Sequence, residues 1–144
     1  MIGRSKPFDK QLHANNDPKS RIVVKKFFAE RDIILVDHPN KCDIDLITED
    51  GKLRVEVEHR NSWNKRDFPY DEVNVPERKA KFFKDGNTYY VILSKNYKRL
   101  GFISAAKIQR FIKLQSPKES SNCFMKKGEY FYKIPQTEFE FFDV

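Results

Sequence analysis

Residues 43–58 read DIDLITEDGKLRVEVE, and this segment constrains the fold more than any other part of the chain. Polar and apolar residues alternate on both sides of Asp50-Gly51, and a period of two is typical of β-strands. An Asp-Gly pair between two alternating runs predicts a tight hairpin turn. We therefore expect strands at 43–48 and 53–58 that pair with each other.

The second predicted strand places its carboxylates on a single face. Glu56 and Glu58 are two residues apart, so both side chains emerge on the same side, about 7 Å apart along the strand. The partner strand adds Asp45, with Asp43 two residues before it. Carboxylates this close repel each other and raise each other's pKa unless a cation lies between them. Mg²⁺, with Mn²⁺ as a substitute, suits such a site because it prefers hard oxygen ligands.

The same alternation is also typical of the solvated face of an ordinary amphipathic strand. In that interpretation, Arg54 pairs with an acid across the hairpin. Asp43 or Asp45 then bonds its own backbone at the hairpin end. Periodicity alone leaves both interpretations open.

The chain around the hairpin predicts further helices and strands. A helix capped by Ser20 and ending near residue 31 carries an apolar stripe that includes Val24 and Phe27, and residues 1–17 predict a loose arm. The other predicted elements are a strand at 33–36, a loop at 59–74, a helix from Pro76 to the Asp85-Gly86 turn, strands at 88–94 and 102–104, a helix at 105–114, and a hairpin or edge strands around Lys127-Gly128. This order predicts a single domain of class α/β (α+β), with a mixed central β-sheet flanked by helices.

Composition favours a basic protein that binds a polyanion. The 144 residues include 28 Lys and Arg against 21 Asp and Glu, and a net charge of +7 attracts nucleic acid. An aromatic content of 14% excludes a disordered chain. No apolar run reaches the length of about 18 residues that a membrane span needs, and the first ten residues lack an apolar signal core. We therefore expect a cytoplasmic protein with no membrane partner, and its Cys42 and Cys123 to be reduced thiols.

The order of these residues resembles the PD-(D/E)XK nuclease superfamily, which has a restriction-endonuclease-like α-β-β-β-α-β core. Asp45 matches the motif's Asp, and Glu56-Val57-Glu58 matches (D/E)-x-K. The resemblance covers about residues 20–94 and leaves 95–144 as sheet extension or dimerisation elements. It implies a metal-dependent endonuclease that hydrolyses DNA phosphodiester bonds, with Asp45, Glu56 and the Val57 carbonyl as ligands of Mg²⁺ or Mn²⁺.

One departure from the motif concerns its lysine, because Glu58 stands in that place. Some restriction endonucleases of the superfamily are similar in this respect, and the resemblance then implies a metal ligand or a general base at Glu58. The missing cation is offered by the next predicted helix, as Lys79 or Lys81, and Lys79 is our prediction for the catalytic lysine. Glu30, late in the first helix, resembles the helical acid that many members add to the metal site, although an exposed Glu beside Arg31 has the same appearance. A catalytically degenerate nucleic-acid-binding module is the alternative function.

Basic side chains follow the acids in the chain and predict contacts to the DNA backbone. Trp63 stacks on a base in this interpretation and fills a gap beneath a loop in the other. His59 is either an acid–base group or a flanking surface residue. The residues predicted to bind DNA are Arg60, Trp63, Lys65, Arg66, Arg78, Lys81 and Lys84.

The size and class of the chain bear on its biological role. Small single-domain members of the superfamily include restriction, repair, junction-resolving and phage-encoded nucleases, and many act as homodimers. A homodimer is therefore an expectation that the resemblance implies. A structural or partner-binding protein, in which the basic charge and the strand acids are ordinary surface, is the remaining interpretation of the same residues.

Overall fold

A computed structural model describes residues 10–40, 43–84, 86–119 and 130–144, with side chains from residue 18 onward except 118–119. Two α-helices, nine β-strands and two 3₁₀ helices lie in these ranges. They are α1 Lys10–Ala29, β1 Leu35–Asp37, β2 Leu46–Thr48, β3 Arg54–His59, β4 Glu72–Pro76, a 3₁₀ helix Glu77–Lys84, β5 Thr88–Leu93, β6 Arg99–Ser104, α2 Ala105–Leu114, β7 Lys118–Glu119, β8 Tyr130–Pro135, a 3₁₀ turn Gln136–Glu138 and β9 Glu140–Asp143. In these ranges no helix combines the length and the apolar character that crossing a membrane requires.

The main sheet has six strands in the order β1-β2-β3-β5-β6-β9. Its strands pair antiparallel except for β3 and β5, which run parallel. A parallel pair needs a long crossover connection, and here that crossover carries β4 and the 3₁₀ helix. A smaller antiparallel sheet has the order β4-β8-β7. The predicted α+β class and the mixed sheet flanked by helices are confirmed.

The two faces of the main sheet pack against different elements. On one face, α1 contributes Val24, Phe27 and Phe28 to a core that also holds Val55 and Val57 of β3. This arrangement confirms the predicted apolar stripe and the predicted alternation in β3. The opposite face packs against the 3₁₀ helix, α2 and the small sheet. Its fully buried side chains include those of Trp63, Phe83, Tyr90, Ile92, Ile108 and Ile134.

The first helix begins ten residues before the predicted cap at Ser20. It starts at Lys10 and continues through Pro18, so residues 10–17 are helical and the predicted arm is wrong there. A proline inside a helix removes one backbone hydrogen bond but does not prevent helix on both sides of it. Ser20 is buried within the helix. Residues 1–9 of the predicted arm, both cysteines and the predicted turn at Lys127-Gly128 lie outside the described residues.

The region between β3 and β5 also differs from the prediction. Residues 72–76 form β4 instead of a loop, because β4 pairs with β8, a strand far along the chain that local sequence does not reveal. Pro76 is the last residue of β4 and not the first residue of an α-helix. The following helix is 3₁₀ over Glu77–Lys84. Lys79 and Phe83 are its buried side chains.

Candidate active site

The acids of β3 lie on the face of the sheet that packs against the 3₁₀ helix. Val55 and Val57 point to α1, so Glu56 and Glu58 point to the opposite face, as the period of two predicts. Arg60 directly follows β3 and extends the same side of the strand. Glu56 is 6% exposed, so this carboxyl group is buried and not a solvated strand acid.

Lys79 brings a positive charge to these two acids. Its Nζ lies 3.0 Å from Glu56 Oε2 and 3.1 Å from Glu58 Oε1, and the lysine is 8% exposed. Burial lowers the pKa of Lys79, but the surrounding carboxylates and the Tyr90 hydroxyl raise it above its ordinary value. The lysine predicted from the following helix therefore reaches Glu56 and Glu58 as a buried ammonium group.

Asp45 completes an acid pair with Glu56. It precedes β2, which begins only at Leu46, so Asp45 is not in the predicted strand. Its Oδ2 accepts a hydrogen bond of 2.9 Å from the Val57 N–H, which positions the carboxylate beside β3 where the β2–β3 ladder has ended. The Asp45 carboxylate lies close enough to Glu56 for its negative charge to act on the pKa of that residue.

The pKa of Glu56 reflects this crowding. Burial raises it most, the negative charge of Asp45 raises it further, and Lys79 opposes both, with the result that the pKa of Glu56 rises to about 7. Its Oε1 is buried and accepts no hydrogen bond from any residue in the described part of the chain. Glu56 can therefore gain or lose a proton, or accept a cation, near neutral pH.

Glu58 has different surroundings from Glu56. The Tyr90 hydroxyl donates to Oε1 at 2.7 Å, and Arg60 Nε lies 2.8 Å from Oε2 in an ion pair. Although burial raises the pKa of Glu58, Arg60, the nearby ammonium group and the tyrosine hydrogen bond lower it to about 2. Such a strong acid accepts a proton poorly at neutral pH, so the general-base role predicted for Glu58 disagrees with its surroundings.

Arg60 is not available to a phosphate in the way that the sequence predicts. Its side chain is 15% exposed and is held by Glu58, by the Tyr90 hydroxyl at 2.8 Å and by the Asn74 carbonyl at 2.7 Å. The period of two that places Glu58 on the site face extends to Arg60, and this signal was present in the sequence. Tyr90 was not predicted, because it reaches the site through the parallel pairing of Glu56 with Tyr90.

Trp63 cannot stack on a base, because it is 0% exposed. Its indole N–H donates to the Arg66 carbonyl, and its ring meets Phe68 and Phe141 edge-on. The prediction of a nucleic-acid contact is therefore wrong, and the alternative, a tryptophan that fills a gap beneath a loop, is confirmed. Phe141 of β9, which packs against this ring, could not be predicted from the residues around Trp63.

The remaining basic residues predicted to bind DNA lie on the surface. Lys65 and Arg66 are exposed in the loop after β3, and Arg66 forms ion pairs with Asp67 and Asp143. The others, three apart along the 3₁₀ helix, are also exposed, and residues three apart in a 3₁₀ helix align along one row. These three residues, which we call the basic row, are Arg78, Lys81 and Lys84.

Two further candidates are not brought to the acid pair. Glu30 follows the end of α1 and is exposed, as its alternative interpretation predicts. His59 stacks on Tyr97 with ring centroids 4.3 Å apart, on the α1 side of the sheet and away from the acids. In the part of the chain that the structure describes, no three His, Cys, Asp or Glu side chains form a group that could hold a metal. A cation at this site would therefore have two carboxylate side chains as its protein ligands, with the rest of its shell from backbone, water or substrate.

Comparisons with known proteins add little to this geometry. No family model matches the sequence, and no curated protein is similar to it in sequence. A nuclease from a fusselovirus has a solved structure that is similar to this one, with a TM-score of 0.49 and 14% sequence identity, over 95% of this chain and 89% of that chain. A similarity of this size leaves the function to the chemistry of the site.

Proposed function

We propose that this chain is a metal-dependent nuclease that hydrolyses DNA phosphodiester bonds at Asp45, Glu56 and Lys79. The observation that carries the proposal is the buried Lys79 ammonium at 3.0 Å from Glu56, beside the Asp45–Glu56 acid pair. Two acids and a lysine are the groups that the resembled motif combines. Here the lysine comes from the 3₁₀ helix and not from the strand.

The acid pair fits a divalent cation. The Asp45 carboxylate lies near Glu56, whose Oε1 is a buried acceptor without a donor in the described residues. Mg²⁺ is usually held by one or two carboxylates together with waters and substrate phosphate, so Asp45, Glu56 and the Val57 carbonyl form an adequate protein set. When bound, such a cation supplies a water of lowered pKa and neutralises charge on the phosphate.

Lys79 supplies the positive charge that the strand motif lacks. An ammonium group has three N–H donors, and the two carboxylates account for two of them. The third can be directed to a phosphate oxygen, where a fixed cation stabilises the negative charge that develops in the transition state. The raised pKa of Lys79 keeps this charge in place at any physiological pH.

The basic row lies on the exposed side of the 3₁₀ helix that carries Lys79, and it offers the DNA backbone a line of positive charge. A 3₁₀ helix rises about 2.0 Å per residue, so side chains three apart are about 6 Å apart along it. The row therefore presents its positive charges at intervals short enough to contact neighbouring phosphates of one strand. Arg78, Lys81 and Lys84 would hold the backbone without reading the bases.

Nicking of a supercoiled plasmid in the presence of Mg²⁺ or Mn²⁺ tests the proposal. We expect the wild type to nick, and Glu56→Gln to be slower by about 100-fold or more, because a group that acts on the transition state is lost. Glu49→Gln is the matched control, since Glu49 is an exposed acid on the β2–β3 turn. Equal nicking by wild type and Glu56→Gln would refute the catalytic site.

A nucleic-acid-binding module without activity is the second candidate, because Lys79 already has two carboxylate partners. A wild type that does not nick, but binds DNA with an affinity that falls steeply with salt, would establish this function instead. DNA binding that is absent or independent of salt would exclude both candidates.

A further inference from the structure

The two carboxylate partners of Lys79 differ in how firmly they are held. Glu56 Oε1 has no hydrogen-bond donor among the described residues, whereas the two oxygens of Glu58 contact Tyr90 and Arg60. A buried ammonium group needs a permanent counter-charge, since removing the partner of a buried ion is strongly destabilising. Glu58 is therefore the partner that can keep Lys79 in place throughout a reaction.

Glu58 is itself fixed by groups from other strands. Tyr90 of β5 donates its hydroxyl hydrogen to Glu58, and the same hydroxyl oxygen accepts from Arg60 Nη2 at 2.8 Å. Arg60 also donates to the Asn74 carbonyl of β4, at 2.7 Å. The carboxylate is thus tied to β5 and, through Arg60, to the small sheet, and these buried contacts allow it little movement.

We propose that Glu58, Tyr90 and Arg60 form a clamp of positioning residues that holds the Lys79 ammonium beside Glu56. Glu58 stands where the resembled motif has its lysine. In this proposal it anchors Lys79 of the 3₁₀ helix, and it is neither a metal ligand nor a base. The importance of the clamp for catalysis rests on the proposed nuclease function. Its effect on Lys79 is a property of the free protein and can be measured without metal or DNA.

Chemical labelling of Lys79 tests the clamp directly. An amine reacts only when deprotonated and accessible, so the clamp makes Lys79 slow to acetylate. Mass spectrometry of the metal-free protein gives the rate at this residue. We expect Tyr90→Phe to increase it by about tenfold or more, the equivalent of one hydrogen bond to a charged group, and Glu58→Gln to increase it further. Tyr89→Phe is the matched control, because Tyr89 is the neighbouring residue on the opposite face.

Folding and metal binding separate the clamp from other roles of these residues. Tyr90→Phe keeps the buried ring, and the fluorescence of Trp63 reports whether each variant is folded. A folded Tyr90→Phe protein that labels at the wild-type rate would overturn the clamp. So would a Glu58→Gln protein that loses Mn²⁺ affinity as completely as Asp45→Asn, since Glu58 would then be a ligand.

Cleavage kinetics distinguish the clamp from the proposed function. A positioning role predicts that Tyr90→Phe lowers kcat and leaves the KM for DNA unchanged. If the wild type labels as expected but cleaves no DNA, the clamp stands and the proposed nuclease function fails. If the wild type cleaves and Tyr90→Phe changes neither kcat nor labelling, the clamp fails and the nuclease function stands.

Discussion

The buried Glu56 carboxyl group makes the stability of the protein depend on pH in a direction opposite to that of most acids. Its pKa is about 7 in the folded protein against an ordinary value of 4.5. Between these values the folded state keeps a proton that the unfolded chain has released. The stabilisation is therefore complete below pH 4.5 and is lost as pH rises through 7. Because each pKa unit corresponds to about 1.4 kcal/mol, the loss is on the order of 3 kcal/mol.

The substitution Glu56→Gln removes this titration and keeps the size of the side chain. We expect the free energy of unfolding of the variant, minus that of wild type, to increase by about 3 kcal/mol between pH 4.5 and 8. Urea denaturation followed by the fluorescence of Trp63, the single tryptophan, measures it across this range. Glu49→Gln, which alters an exposed acid, should remain parallel to wild type. A constant difference between Glu56→Gln and wild type at every pH would contradict the raised pKa, because Glu56 would then not titrate in this window.

Two other perturbations test the DNA surface and the packing beneath the site. The double variant Lys81→Ala, Lys84→Ala should reduce the slope of log affinity for DNA against log salt by about 2, because each phosphate contact contributes about 0.9. The control variant Lys26→Ala, on the exposed side of α1, should leave this slope unchanged. Gly101→Ala should destabilise the fold by about 1–3 kcal/mol through overpacking, because a Cβ there would lie 2.7 Å from the Phe141 ring. Adding Phe141→Leu should recover part of this loss of stability. A Gly101→Ala protein as stable as wild type in urea denaturation would contradict the close packing of Phe141 on Gly101.

The parts of the site that depend on local periodicity could be predicted from the sequence. A period of two places Glu56 and Glu58 on one face of β3, and the apolar alternation places that face opposite α1. Arg60 belongs to the same pattern, but its charge suggested a phosphate contact. Arg60 pairs with Glu58 because β3 is buried on this face as well, and the sequence does not reveal that burial. Burial, and not spacing, decides whether such a charge is a ligand site or an internal counter-ion.

The parts that depend on distant contacts could not be predicted. Tyr90 meets Glu58 because β3 and β5 pair in parallel, and β4 exists because it pairs with β8. No local pattern records either pairing. Lys79 was suggested by resemblance and by its place in the following helix. Lys79 lies between Glu56 and Glu58 because its 3₁₀ helix, which is part of the crossover connection, packs on this face of the sheet. The burial of Trp63 depends in part on a distant contact as well, because Phe141, one of the two rings that pack against it edge-on, lies in β9.

The proposed function depends on a divalent cation held by Asp45 and Glu56, and anomalous diffraction from crystals soaked in Mn²⁺ can detect that cation. We expect an anomalous peak between the two carboxylates, within ligand distance of the Val57 carbonyl, and no peak there in Asp45→Asn crystals. A soaked wild-type crystal with no peak at Asp45 and with the Lys79–Glu56 ion pair intact would contradict the metal site, and with it the proposed nuclease.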